Sequence, residues 1–204
     1  MSIAYLAITF RLENILKELP RRRRILVDPG TPLYPVFRLE RNPRGLPLRG
    51  ETSRKIRTRI LEIATRYRSP LVQIDYDARS SERADYLMFL RTLRDSLPPG
   101  TRVSMTALAS WCLFDRWLAD APVDEIVPMA FRMGADGPRV RQRLNGGGDF
   151  LNHCRGAMGI ITDEAIRVPP GRRVYIFSAR RWNDARIKKA QQILRTRRRK
   201  DYRP

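Results

Sequence analysis

The sequence predicts an α/β fold of the (β/α)8 TIM-barrel type, incomplete or shortened at its N-terminus. Three observations predict it. Strand-like and helix-like segments alternate at short spacing, as in the βαβ units that build a parallel sheet. The strand-like runs read as apolar on both faces, as strands covered by helices do. Several of these runs end in polar or aromatic groups: Asp75 and Asp77; Thr106 and then Trp111; Phe131 and Arg132; Asp163 and Glu164; Ser178, then Arg180 and Trp182. In a parallel barrel every C-terminal strand end opens onto one rim, where active sites sit. An open doubly wound sheet competes with the barrel, but it would gather only the ends near its switch point.

The elements follow in order. AYLAITF (4–10) is β-branched and aromatic and reads as a strand. LENILKEL (12–19) reads as a short helix before Pro20. Residues 20–35 are rich in Arg, Pro and Gly and read as loop, with a brief extended piece at Ile25 to Val27. VFRLE (36–40) is a strand. Ile56, Ile60, Ile63, Ala64 and Tyr67 then mark one face of a helix that starts near 51. The strand LVQIDYD (71–77) follows Pro70. The next helix runs from about Ser81 to Leu97, capped by Ser80 or Ser81, with Leu87, Leu90, Leu93 and Leu97 on its apolar face. VSMTALA (103–109), EIVPMAF (125–131), GIIT (159–162) and VYIFS (174–178) are strands. Between them lie helical patterns in SWCLFDRWLAD and around Pro138 to Leu144. Asn183 caps a last helix carrying Ile187, Ala190, Ile193 and Leu194. This gives about seven strands where a barrel has eight.

The 204 residues, 42% of them hydrophobic, suffice for one domain with a sizeable core, assigned to residues 1–194, with a basic tail at 195–204. No run of about 18 apolar residues is present, so no membrane span is expected. The opening MSIAYLAITFRLENIL lacks a basic segment ahead of its apolar stretch and does not read as a signal peptide. The net charge is +20, and only five of the 41 basic residues are lysine. One reading is a polyanion-binding surface that includes the tail, and the other is arginine as the default surface cation of a GC-rich bacterium. Cys112 and Cys154 form neither a disulfide framework nor a zinc site by count and spacing, and read as two thiols in a reduced compartment. The single His153 excludes a metal-histidine cluster, and no metal or cofactor is expected. The default location is cytoplasmic, or periplasmic or exported if a signal precedes the native start. The oligomeric state is not readable from the sequence.

The carboxylates carry the chemistry. Along LVQIDYD side chains alternate, so Gln73, Asp75 and Asp77 share one side while Val72, Ile74 and Tyr76 share the other. The Asp75 and Asp77 Cα atoms are then about 6.5 Å apart at roughly 3.3 Å per residue. Carboxylates that close repel, and at least one pKa should rise, which is what a general acid at neutral pH requires. Glycoside hydrolysis pairs such an acid with a second carboxylate about 5–5.5 Å or about 6.5–9.5 Å away. Asp77, Asp163 and Glu164 are the candidate partners of Asp75. Each also has a plain structural reading: an ion pair for Asp75, a helix-capping loop position for Asp77, and a polar turn for TDEA. Gln73, Arg132, Trp111 and Trp182 are candidate substrate-binding residues, the tryptophans as sugar-stacking platforms or as rings packed at element ends. NGGGD (145–149) lacks a following Lys-Ser or Lys-Thr and the GxGxxG spacing, and reads as a flexible loop rather than a phosphate cradle.

The strings VQIDYDARSSER, SMTALASWC, VPMAFRMG, GIITDEA and RRVYIFSARRW resemble the bacterial domain-of-unknown-function family 3142, from about residue 4 to 183. The resemblance implies a TIM-barrel, glycoside-hydrolase-like fold with no assigned activity. Family members usually carry more sequence before the segment matching AYLAITFRL. The chitinase-like group places a Glu two residues after the strand-end Asp that matches Asp77, and here that position is Arg79. A chitinase-type mechanism is therefore not carried over. The expectation is a glycosidase-type barrel acting on a carbohydrate. A non-catalytic carbohydrate-binding or scaffold barrel and a basic nucleic-acid binder are the alternatives.

Overall fold

The computed structural model describes residues 2–201, with side chains to 196. It shows a mixed α/β chain of eight strands and five α-helices, and it resolves into two compact units.

The first unit comprises Met1–Thr106 and Asp120–Glu125. It holds β1 (Ile3–Leu12), β2 (Leu16–Pro20), β3 (Leu33–Arg41), α1 (Gly50–Arg66), β4 (Leu71–Tyr76), α2 (Arg83–Ser96) and most of β5 (Arg102–Leu108). Its strands run in the order β2-β1-β3-β4-β5. β1 and β2 are antiparallel, and β1, β3, β4 and β5 are parallel neighbours. Register places Arg38 beside Asp75 and Gln73 beside Ser104. One face of the sheet is apolar: Phe10, Phe37, Leu39, Ile74, Tyr76 and Met105 are buried. So are Ile56 and Ile60 of α1 and Tyr86, Phe89, Leu90 and Leu93 of α2. The rings of Tyr76 and Tyr86 meet edge to face at 5.1 Å, which fixes α2 on that side of β4. At Gly45 an added Cβ would lie 1.7 Å from the Leu12 carbonyl oxygen, so only glycine lets this loop close over the end of β1.

The second unit comprises Ala107–Ala119 and Ile126–Pro204. It holds α3 (Trp111–Phe114), β6 (Glu125–Met129, entering at its second residue), α4 (Gly137–Asn145), β7 (Ala157–Ile161), β8 (Arg173–Phe177) and α5 (Asp184–Asp201). β6, β7 and β8 are parallel neighbours in that order. Gly159 of β7 has no room for a side chain, because a Cβ there would meet the Met129 sulfur at 2.7 Å. Asn183 caps α5 as expected, its side-chain oxygen accepting the Arg186 N–H at 3.0 Å. The residues set apart as a tail from 195 onward continue this helix to Asp201.

Three expectations are corrected. The segment 12–19 is not a helix, since Leu16–Pro20 forms β2 and pairs antiparallel with β1. The alternative partner for its backbone, a strand edge, outweighs local helix propensity. Ile25 to Val27 is not extended strand. The strands number eight rather than seven. The strand order begins with β2 and ends with β8, so among the described residues the sheet is not closed, as the incomplete barrel expected from the sequence allows.

Candidate functional site

The polar face of the first unit is built by strand alternation. Thr9 and Arg11 of β1, Arg38 and Glu40 of β3, Gln73 and Asp75 of β4, and Ser104 and Thr106 of β5 fall on the side opposite the helix-covered core. A chain of contacts crosses these strands. Arg11 Nε meets Glu40 at 2.9 Å, Arg38 Nε meets Glu40 at 3.3 Å, and Arg38 Nη1 stands 3.8 Å from Asp75 Oδ2. The Thr106 hydroxyl then donates to Asp75 Oδ1 at 2.7 Å. Deeper in the same face, Gln73 Nε2 donates to Ser104 Oγ at 3.0 Å, and Ser104 Oγ donates to Glu125 at 3.1 Å. Gln73 is buried, and its amide is part of this relay.

Asp75 sits at the penultimate position of β4 and is 28% exposed. Asp77 follows the strand end and reaches solvent. Although its surface is open, desolvation by the surrounding protein pushes its carboxyl pKa up, and the neighbouring Asp75 charge adds to the rise. Arg38 and Arg41 oppose it. Two carboxylates of unequal character thus stand side by side, one anchored by a hydroxyl and the other biased toward its protonated form. Fully buried Tyr86 has its hydroxyl pKa raised well above the ordinary value, first by burial and then by the Asp75 charge. Leucine periodicity on α2 passed over this tyrosine and Phe89, both fully buried. Alternation in VFRLE was the available signal for Arg38, since it places Arg38 and Glu40 on one face.

A depression of about 350 Å³ is lined by Glu13, Asn14, Ile15, Lys17 and Asn42. These residues follow the C-terminal ends of β1 and β3 or begin β2. Glu13 and Lys17 form an ion pair across one turn. Nothing in the sequence singled out this wall, because residues 13–17 and Asn42 are brought together only by the fold.

Asp163 and Glu164 belong to the second unit. Glu164 accepts the Arg132 backbone N–H at 3.2 Å and the Arg141 guanidinium at 2.6 Å. It thereby holds Arg132 at φ +48°, a left-handed conformation costly for a side-chain-bearing residue. Asp163 accepts the Thr162 hydroxyl at 2.9 Å and faces Lys189 at 3.9 Å. Trp111 is 8% exposed and packs edge to face on Trp117 at 5.1 Å, so its ring offers little open face for stacking. Trp182 is 44% exposed. Phe114, not singled out from the sequence, is exposed and carries the Arg139 guanidinium 4.3 Å above its ring.

The reading of two free thiols is corrected. Cys112 of α3 and Cys154 form a disulfide, with Cα atoms 5.8 Å apart, inside the range such a bond spans. Spacing in the chain gave no hint, because the 42-residue separation is closed only by the fold. The NGGGD loop is also tied down at its last residue. Asp149 pairs with Arg172, whose side chain is almost wholly buried and lies 5.4 Å over the Phe150 ring. Among the described residues no cluster of His, Cys, Asp and Glu suited to a metal is present. No described helix is long and apolar enough to cross a membrane.

No protein-family model matches the chain, and no curated protein matches it. Among solved structures it is similar to the crystal structure of the Bacillus cereus spore cortex-lytic enzyme SleL. The TM-score is 0.50 at 20% identity, over 78% of this chain and 43% of that one. At this identity the likeness shows a shared fold. The chain spans less than half the length of the SleL chain.

Proposed function

We propose that the chain is a carbohydrate-acting hydrolase of the glycosidase-barrel type, with Asp75 and Asp77 as its working carboxylates. The observation that carries the reading is the asymmetry of this pair at the end of a parallel strand. Asp77, biased toward its protonated form, donates the proton to the leaving glycosidic oxygen. Asp75, fixed by Thr106 and flanked by Arg38, acts on the sugar carbon as nucleophile or stabilising charge. The depression, with the side-chain amides of Asn14 and Asn42, holds part of the glycan. The fold shared with a cortex-lytic enzyme supports this reaction class coarsely, and the motif resemblance to domain-of-unknown-function family 3142 supports the barrel lineage. The Cys112–Cys154 bond supports work in an oxidising compartment rather than the cytoplasm.

A second reading is favoured by one observation. The Arg11–Glu40–Arg38–Asp75 chain engages Asp75 in ion pairing, as a carbohydrate-binding scaffold without turnover would. Reducing-end release from spore cortex and a polysaccharide panel separates the two. The hydrolase reading predicts turnover in the parent and a loss of at least about 100-fold in Asp75→Asn and Asp77→Asn, with glycan binding retained. Binding without turnover in the parent supports the scaffold instead.

A further inference from the structure

The segment joining β2 to β3, residues 21–32, contains neither helix nor strand. It begins with four consecutive arginines, Arg21 to Arg24, all exposed. Among the described residues no ion pair joins them to a carboxylate. The Arg21 backbone N–H donates to the Ala7 carbonyl at 2.8 Å, and its Nε donates to the Arg23 carbonyl at 2.8 Å. Directly after them Leu26 stands 92% exposed, the most exposed large apolar side chain among the described residues. A turn closes the loop behind it, with the Thr31 N–H donating to the Asp28 carbonyl at 3.1 Å and Gly30 at φ +80°.

Both features are unfavourable in water alone. Four like charges crowd together, and a full leucine side chain is hydrated. A nucleic acid or an acidic polysaccharide would answer the arginines and leave Leu26 in water. A surface with anionic headgroups over hydrocarbon answers both. We propose that residues 21–27 are a peripheral docking loop for an anionic lipid surface. The arginines lie among the headgroups and Leu26 enters the acyl boundary. The contact is peripheral, since no described helix could span the bilayer. It stands independently of the carbohydrate reading.

The test uses the full chain and vesicles of phosphatidylcholine, with or without roughly one third phosphatidylglycerol. Both native cysteines are bonded, so Leu26→Cys supplies a unique thiol for a polarity-sensitive dye. The dye is expected to shift to the blue on the anionic vesicles and not on the neutral ones. In sedimentation, Arg22→Gln with Arg23→Gln should weaken binding about 30-fold, and Leu26→Asn about tenfold. These positions are solvent-exposed, so the variants should keep the parent's Tm. A dye that stays in water on anionic vesicles overturns the proposal. So does a Leu26→Asn variant that binds them as tightly as the parent, which would leave a polyanion contact made by arginine alone.

Discussion

Asp75 and Asp77 show how two identical side chains acquire different chemistry from their surroundings. Asp75 receives a hydroxyl proton from Thr106 at 2.7 Å, whereas Asp77 is partly desolvated beside a like charge. The raised carboxyl of Asp77 has a consequence for stability. Its folded pKa lies above the unfolded one, so its charged form is disfavoured by folding. The penalty is fully present above the folded pKa and is relieved as pH falls toward the ordinary value of 3.8. Asp77→Asn is therefore expected to raise the Tm at neutral pH, with the gain shrinking as the pH approaches 4. Thermal melts across that range check it, and a gain independent of pH would mean the carboxyl is not perturbed. Alternation along LVQIDYD was enough to read that the two aspartates share a side. That the Asp77 carboxyl is desolvated, with the Asp75 charge adding to the rise and Arg38 opposing it, depends on packing and strand register, and that was not legible.

At the scale of elements, most strands and helices read correctly, and the segment 12–19 did not. α1 and α2 announced themselves through isoleucine and leucine spacing, and Asn183 through its cap position. The 12–19 segment carries a helix-like pattern, but a free strand edge at β1 claimed it. The disulfide lay beyond sequence reasoning for the same cause: its partners meet through tertiary packing of α3 against the turn at 152–154. That turn is held from several directions. The Leu151 N–H donates to the Cys112 carbonyl at 2.9 Å, and Arg172 reaches the Cys154 carbonyl at 3.4 Å. Closing a 42-residue separation constrains the unfolded chain by about 4 kcal/mol in the chain-entropy estimate. Replacing both cysteines by alanine should lower the unfolding free energy by about 2–4 kcal/mol, as read by denaturant titration. A variant as stable as the parent, with free thiols detectable in the parent, would show the bond is not formed.

At the scale of the whole molecule, the parallel β/α alternation was legible because several strands, β3 to β6 among them, are apolar runs followed by a helical period. That the barrel would be incomplete was also expected, but the extra strand β2 was not legible, because it forms only by pairing with the edge of β1. The charge of +20 likewise states an attraction to anions without saying where it acts. The structure localises one exposed share of it in the loop after β2. The functional account rests on a narrower point, that the Asp77 carboxyl is raised, first by desolvation and then by the Asp75 charge. Carbon-13 NMR of the aspartate carboxyls, followed through a pH titration in the parent and in Asp75→Asn, measures this directly. The account predicts that Asp77 titrates above 3.8 in the parent and shifts downward when the Asp75 charge is removed. An Asp77 that titrates at the ordinary value in both proteins would contradict it.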